Sequence, residues 1–315
     1  MQPPSHLLAD CTIITNRDDT FWYTDGNVVI RVGDTVFKLH RSRLQRNCEY
    51  FKTLFDSGTR VDERIEACAV YNVPTEVTPE GFKAILIVIE MPLDDITSKL
   101  THTTTISLLE AAHTLSCNAA LRLAKTHLRM LWDSRPVPPQ LDPGDIRSCA
   151  SIIATIHLAR EHKVSYILKR AFYELLSNEE YWHIYYTDRD SIDLSSSDRE
   201  RLLCARDILG KLWREFALTP PEAAQPANAV NRPSTALNLC CYSHKDRRHM
   251  WWSSIVEKDD LESGALDPLR YNIISLRWQE LQNEWWCRDC LRNKERAWKE
   301  KAVEWWKLLE DLLQL

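Results

Sequence analysis

The sequence predicts an α+β protein, mostly helical, in which a small sheet with its helices comes first and an all-α extension follows. Three observations predict it. Near the N-terminus, apolar residues recur at every second position and then switch to every third or fourth. Glycine is scarce, with seven in 315 residues against an average usage of roughly 7%; this favours helix over a turn-rich sandwich or barrel. Two proline-rich stretches interrupt the later helical patterns, and proline, which lacks an amide donor and fixes φ, ends helices.

The prolines also set the expected organisation. Residues 1–19 show no period and read as a loose arm. Residues 20–132 form the mixed block. A first linker, 133–144, holds Pro136, Pro138, Pro139 and Pro143. A helical block follows over 145–218. The second linker, 219–236, carries Pro220, Pro221, Pro226 and Pro233. A tryptophan-rich helical block covers 237–315.

In the mixed block Val28, Ile30 and Val32 alternate, Gly33-Asp34 follows, and Thr35, Phe37 and Leu39 alternate again. Two strands around a Gly-first pair read as a tight hairpin with Gly33 supplying φ > 0. Leu44, Cys48, Phe51 and Phe55 then fall on one face of a single helix, with Gly58 placed to cap it. A third strand is expected at Cys68–Val73. Thr78 and Pro79 fit the N-cap and first position of another helix, with Phe82, Ile85, Leu86 and Ile89 as its stripe. Two further helices carry Leu108, Leu109, Ala112, Leu115 and then Leu121, Ala124, Leu128, Leu131.

The helical block shows Ile152, Ile156 and Ala159, then Val164-Ser165-Tyr166-Ile167-Leu168, then Ala171–Leu176. Ser197 with Glu200 three residues later matches the capping box and opens a helix with Leu202, Ala205, Leu209, Leu212 and Phe216 on one face. In the last segment Leu291, Trp298, Ala302, Trp305, Leu309 and Leu312 share a stripe, flanked by the favourable Glu295–Lys299 pair.

Composition narrows the function classes. A net charge of −5, from 45 acidic and 40 basic residues, argues against a globally basic nucleic-acid binder. With 44% hydrophobic and 27% charged residues, the chain has the makings of a core and is not broadly disordered. No stretch nears the ~18–20 apolar residues of a membrane span. Met1–Ser5 lacks the basic and apolar regions of a signal peptide. An intracellular protein is expected, with nucleus and cytoplasm undistinguished. Its ten cysteines should then be thiols, core residues or metal ligands. No dinucleotide fingerprint, P-loop or nucleophile elbow is present, so no catalytic or cofactor-binding residue is assigned.

The run Asp25–Leu44 resembles the opening of the BTB/POZ domain. That family shows an Asp before the first strand and a hairpin ending in Phe-x-x-His-(Arg/Lys), here Phe37 to Arg41. A Leu and a Ser-x-Tyr/Phe-Phe-x-x-(Leu/Met)-Phe string follow. Here Leu44 precedes Cys48-Glu49-Tyr50-Phe51-Lys52-Thr53-Leu54-Phe55, with Cys48 where Ser is usual. Pro79–Leu86 resembles the family's Pro-Glu-x-Phe helix, and Ser107–Leu115 its Leu-Leu-x-Ala-Ala-x-x-Leu helix. Glu90-Met91-Pro92 departs from the usual Tyr-x-Gly turn. With the later blocks included, the chain resembles fungal BTB proteins with a helical middle, similar to the helical (BACK-like) region that follows many BTB domains, and a Trp-rich, Cys-containing end.

The resemblance implies a non-enzymatic interaction module that pairs with itself through the first strand and helices, some members recruiting a cullin scaffold for ubiquitin ligation. It points to Asp25 and His40 near the hairpin base and to Leu44 and Phe51 in the dimer region. Val61-Asp62-Glu63 has the hydrophobic-x-Glu form of cullin-binding members, slightly later than usual. The expected partners are a second copy, a cullin and an unidentified client, with no membrane role and no nucleic acid.

Metal chemistry is the other candidate. Cys287-Arg288-Asp289-Cys290 is a C-x2-C pair, and Cys241 with His244 has the same spacing; four such ligands complete a tetrahedral zinc site. Cys240 and His249 are alternates. The opposing reading makes these cysteines small buried hydrophobes beneath the tryptophans. Eight of the 12 tryptophans lie beyond residue 250, and tryptophan on an apolar stripe reads as core. A zinc-containing nuclear regulator touching DNA or chromatin partners is therefore the alternative function, with salt-sensitive binding as its signature.

Overall fold

The structure, a computed structural model, describes residues 16–58, 61–90, 100–132, 148–222, 246–256, 260–284 and 286–315. It has the expected class: a small N-terminal sheet with helices, followed by helices alone. The chain divides into two compact units, Met1–Leu131 and Trp132–Leu315.

In the first unit, strands β1 (Asn16–Trp22), β2 (Val28–Val32), β3 (Thr35–Leu39), β4 (Arg64–Ile65) and β5 (Cys68–Asn72) form one sheet in the order β1-β3-β2-β5-β4. Strands β2 and β3 are antiparallel, with Ile30 opposite Phe37 and Val32 opposite Thr35. Gly33 turns the hairpin at φ +55°, as its lack of a Cβ permits. Residues 1–15 lie outside the described residues; residues 16–19, placed in the loose arm by sequence, belong to β1, where Asn16 and Arg17 pair in parallel with Thr35 and Val36 of β3. Their polar run Asn16-Arg17-Asp18-Asp19 hid the strand, because an exposed edge strand needs no apolar alternation.

The helices are α1 (Arg41–Asn47), α2 (Glu49–Asp56), α3 (Pro79–Glu90), α4 (His102–Thr114) and α5 (Asn118–Leu131). The single helix expected through Leu44 and Phe55 is broken: Cys48 is extended, at φ −128° and ψ 117°, and joins α1 to α2. The apolar face survives the break because all four of its residues are buried. Thr78 caps α3 as expected, its Oγ1 accepting from the Gly81 amide at 3.1 Å. On one sheet face Phe37 and Phe51 meet Phe82 of α3, with ring centroids 5.1 and 6.0 Å apart. The other face carries Val29, Val36 and Val70, packed with Trp22, Ile65 and Cys68, and residues on both faces of β2 and β3 are buried.

The second unit holds α6 (Cys149–Glu161), α7 (Leu168–Leu176), α8 (Glu179–Thr187), α9 (Ser196–Leu218), α10 (Asp246–Val256), α11 (Asp260–Leu266), α12 (Ile273–Leu276), α13 (Trp278–Asn283) and α14 (Arg288–Leu313). The long α9 packs against α7, α10, α11 and α14. The helical middle and the tryptophan-rich end thus share one core. The N-cap of α9 is Ser195, not Ser197: its Oγ accepts from the Asp198 amide at 3.1 Å. Gly264 of α11 lies flat against Trp213 of α9, where a Cβ would fall 2.1 Å from the indole ring. No helix among the described residues is long and apolar enough to cross a membrane.

Candidate functional site

The residues singled out in sequence fall in two places, the margin of the first unit and the start of α14. At the hairpin base, the His40 Nε2 is 3.4 Å from the Asp25 Oδ1, and the Tyr23 ring stacks on His40 at 5.3 Å. The Asp25 side chain is 80% exposed, so water screens the pair. Asn27 fixes the start of α1, its Oδ1 accepting from the Arg41 amide at 2.9 Å. Leu44 and Phe51 are buried within their own unit, Phe51 between Phe55 and Phe82. They anchor α1 and α2 and do not present a surface. Arg43, Lys52 and Thr53 are among the outward positions, with Tyr50 and Leu54 half-buried between face and core.

Val61 is half-buried and Glu63 exposed. The Glu63 carboxylate accepts from both Arg31 guanidinium nitrogens, with Nη1 at 2.8 Å. That hydrogen bond holds the Glu63 carboxyl below its usual range and raises Arg31. The Glu63 carbonyl also accepts from the Val70 amide at 3.1 Å. Glu63 is therefore tied by its side chain to β2 and by its backbone to β5, a role the three-residue string did not reveal.

At the start of α14, Cys287 is the N-cap and its Sγ accepts from the Cys290 amide at 3.4 Å. Cys290 is buried, 3.5 Å from the Arg247 Nη2, and that nitrogen also donates to the Pro221 carbonyl at 2.5 Å. His249 is exposed on α10. Cys240, Cys241 and His244 lie outside the described residues. Among the described residues no group of three or more His, Cys, Asp or Glu side chains is arranged to hold a metal. Cys287 and Cys290 serve here as a cap and a core thiol beside a guanidinium.

The tryptophans of the α14 stripe are core, as the pattern implied, and so are most of the other described ones in this segment. Trp251, Trp286, Trp298, Trp305 and Trp306 are buried, and Trp252 is exposed. Trp251 donates to the Ala217 carbonyl at 2.6 Å and meets Trp286 edge to face at 5.2 Å. Lys294 on the same helix escaped the sequence reading. Its ammonium is buried over the Phe216 ring at 3.5 Å and donates to the carbonyls of Phe216 and Thr219 at 2.5 and 2.7 Å, closing the C-terminal end of α9. Burial pushes its pKa down to about 7. A lysine within a polar run gives no signal of burial, because its long stem and its partners' carbonyls are invisible in sequence.

Comparison with family models matches residues 23–130 to the BTB/POZ domain. No curated protein matches the chain. The match starts after β1 and ends within α5, covering the β2–β3 hairpin, the Phe37–Phe51–Phe82 contact and the α3–α5 layer. The chain carries a BTB/POZ domain, a protein–protein interaction module, in its N-terminal unit.

Proposed function

We propose that the protein is a non-enzymatic adaptor that self-associates through its BTB domain, engages a cullin scaffold through the same domain, and offers its helical unit to a client. The observation that carries the reading is the BTB/POZ match over residues 23–130. Two features of the unit support it. Strand β1 is an edge strand with mostly exposed side chains, so its outer backbone groups can pair with another chain. Helix α2 carries half-buried Tyr50 and Leu54 beside exposed Lys52 and Thr53, a mixed apolar and polar face of the kind found at isologous interfaces.

Light scattering on the purified full chain tests self-association, and cullin capture from a cell extract follows on the same preparation. A dimer mass is expected for the native chain, falling to the monomer mass in Leu54→Asp with an unchanged circular-dichroism spectrum. Capture is expected to be lost in Val61→Asp. Glu63→Gln serves as the control for its bond to Arg31, since a purely structural role lowers thermal stability without selectively removing capture. A monomeric native chain, or capture indifferent to Val61, would refute the corresponding part.

A further inference from the structure

The C-x2-C pair at the start of α14 has a geometry that capping alone does not use. Cys287 is the N-cap, its backbone extended at φ −73° and ψ 148°. Its Sγ accepts from the Cys290 amide at 3.4 Å, so the first sulfur lies against the backbone of the second cysteine. The N-cap and the third helical residue are one turn apart. The rise and radius of an α-helix set their Cα atoms about 5 Å from each other, inside the roughly 4.4–6.8 Å that a disulfide spans. The first turn of α14 thus holds the two cysteines in bridging range without a change of backbone. Both are reduced.

The two thiols differ in what can reach them. Cys287 is half-buried, whereas Cys290 is buried at 0% exposure. A reagent in solution therefore meets the Cys287 sulfur first. The Cys290 sulfur is 3.5 Å from the Arg247 Nη2. A guanidinium beside a sulfur favours the thiolate, the form that attacks a disulfide. The same nitrogen donates to the Pro221 carbonyl, and the Arg247 guanidinium lies over the Trp286 ring at 5.5 Å. One arginine thus links Cys290 to α10, to the segment after α9 and to the residue before Cys287. An outer thiol that is reached and an inner thiol that is shielded divide the two steps of thiol–disulfide exchange between them.

We infer that Cys287 and Cys290 form a thiol–disulfide exchange site, closed to a reversible bridge by a low-molecular-weight disulfide of the glutathione type. The Cys287 thiolate attacks one sulfur of the small disulfide, and its S–S bond breaks. One small thiolate leaves, and Cys287 carries the other half as a mixed disulfide. The Cys290 sulfur then attacks the Cys287 sulfur, the mixed S–S bond breaks, and the second small thiolate leaves. The two cysteine protons pass to the two departing thiolates. Two cysteine thiols are oxidised and one small disulfide is reduced to two thiols. Excess small thiol reverses both steps. Closing the bridge turns the Cys290 side chain from Arg247 toward Cys287, so the oxidation state is coupled to the hold of Arg247 on the Pro221 carbonyl and the Trp286 ring.

The test treats the reduced full-length protein with oxidised glutathione until exposed Cys204 is glutathionylated. The protein is then unfolded in N-ethylmaleimide, cut with trypsin and mapped by mass. Trypsin cuts after Arg288, between the two cysteines. The expected product is peptide 278–288 joined to peptide 289–292, two hydrogens lighter than their sum and separated by dithiothreitol. In Cys290→Ser the glutathione adduct should remain on Cys287. In Cys287→Ser, which keeps an N-cap oxygen, Cys290 should stay unmodified. Full alkylation of both cysteines in the treated native protein would overturn the proposal, whether or not the variants fold. So would a glutathione adduct on native Cys287 that never converts to the joined peptides. Oxidation seen only after a zinc chelator is added would also overturn it, by making the pair metal ligands.

Discussion

The two units bury their interiors by different means. In the first unit the centre is apolar, with Phe37, Phe51 and Phe82 against the sheet, and ion pairs keep to its margins. Arg31 meets Glu63 at one edge, Lys38 meets Glu66 at 2.8 Å, and Lys83 meets Asp18 at 2.9 Å. In the second unit charges lie inside. Glu174 of α7 sits between Arg170 and Arg270, and the neighbouring Tyr173 donates to Asp267 and accepts from the Leu269 amide at 3.1 Å. Arg277 pairs with Asp260 at 2.7 Å under nearly complete burial. The apolar interior needs only matching shape, whereas the charged one needs every partner in place, because a lone buried charge costs far more than a missing methylene. The second unit should therefore be the less tolerant of isosteric change.

The largest expected effect tests that contrast directly. Glu174→Gln keeps the side-chain shape but leaves Arg170 and Arg270 without their shared carboxylate. A loss of about 3–5 kcal/mol in the unfolding of the second unit is expected, read from urea transitions followed by tryptophan fluorescence. A loss under about 1 kcal/mol would mean that water already reaches the two guanidiniums, and the contrast between the units would fail.

The same contrast explains what could be read in the sequence. The first unit is held by periodic apolar residues, so Val28–Leu39, Leu44–Phe55 and Phe82–Ile89 announced themselves. What escaped there was polar or irregular: β1 with its charged run, the break at Cys48, and the two-residue β4. In the second unit the apolar stripes of α9 and α14 were legible, and Glu295 and Lys299 pair at 2.9 Å as their spacing implied. The partners that lock those helices were not. Glu174 and Arg270, or Lys294 and Phe216, stand tens of residues apart, and nothing local distinguishes a buried arginine or lysine from a solvated one. Burial of Leu44 and Phe51 in their own unit was invisible for a related reason. The family motif flags Leu44 and Phe51, yet a motif registers what the fold needs as strongly as what a partner touches.

A middle-sized effect separates a buried charge from a buried hydrogen bond. The Asp198 side chain is nearly inaccessible and accepts from Arg160 at 2.6 and 2.7 Å and from the Ser195 hydroxyl at 2.7 Å. Burial opposes its ionisation, and those bonds with the charges of Arg160 and Arg201 outweigh it, leaving the pKa below the usual range. A lowered folded pKa means stability that is present above the unfolded value of about 3.9 and lost as pH falls through the folded one. Asp198→Asn should cost about 2 kcal/mol at pH 7, and its gap from the native chain should narrow below about pH 4. Thermal melts across that range decide it; a gap independent of pH would show that geometry, not charge, holds the start of α9.

The smallest effect lies in the first unit and should have the opposite sign. Strands β4 and β5 pair Ile65 with Cys68, so Glu66 and Ala67 alone make the turn, at φ +49° and +65°. Both central residues of such a turn need positive φ, which suits Asn-Gly and strains residues that carry a Cβ. The sequence offers Glu-Ala instead, which is why the turn and β4 could not be foreseen. Glu66 has a reason to be there, because its carboxylate reaches buried Lys38. Ala67 is exposed, and its methyl group has no comparable partner to justify the conformation. Ala67→Gly relieves the left-handed strain and loses part of that gain to the greater freedom of glycine in the unfolded chain. A net stabilisation of about 0.5–1 kcal/mol is expected, seen as a higher urea midpoint at constant slope. A unit with an apolar centre and relaxed margins should accept this change at an edge turn; if the midpoint falls instead, the margin of the sheet depends on Ala67 as closely as the second unit depends on Glu174.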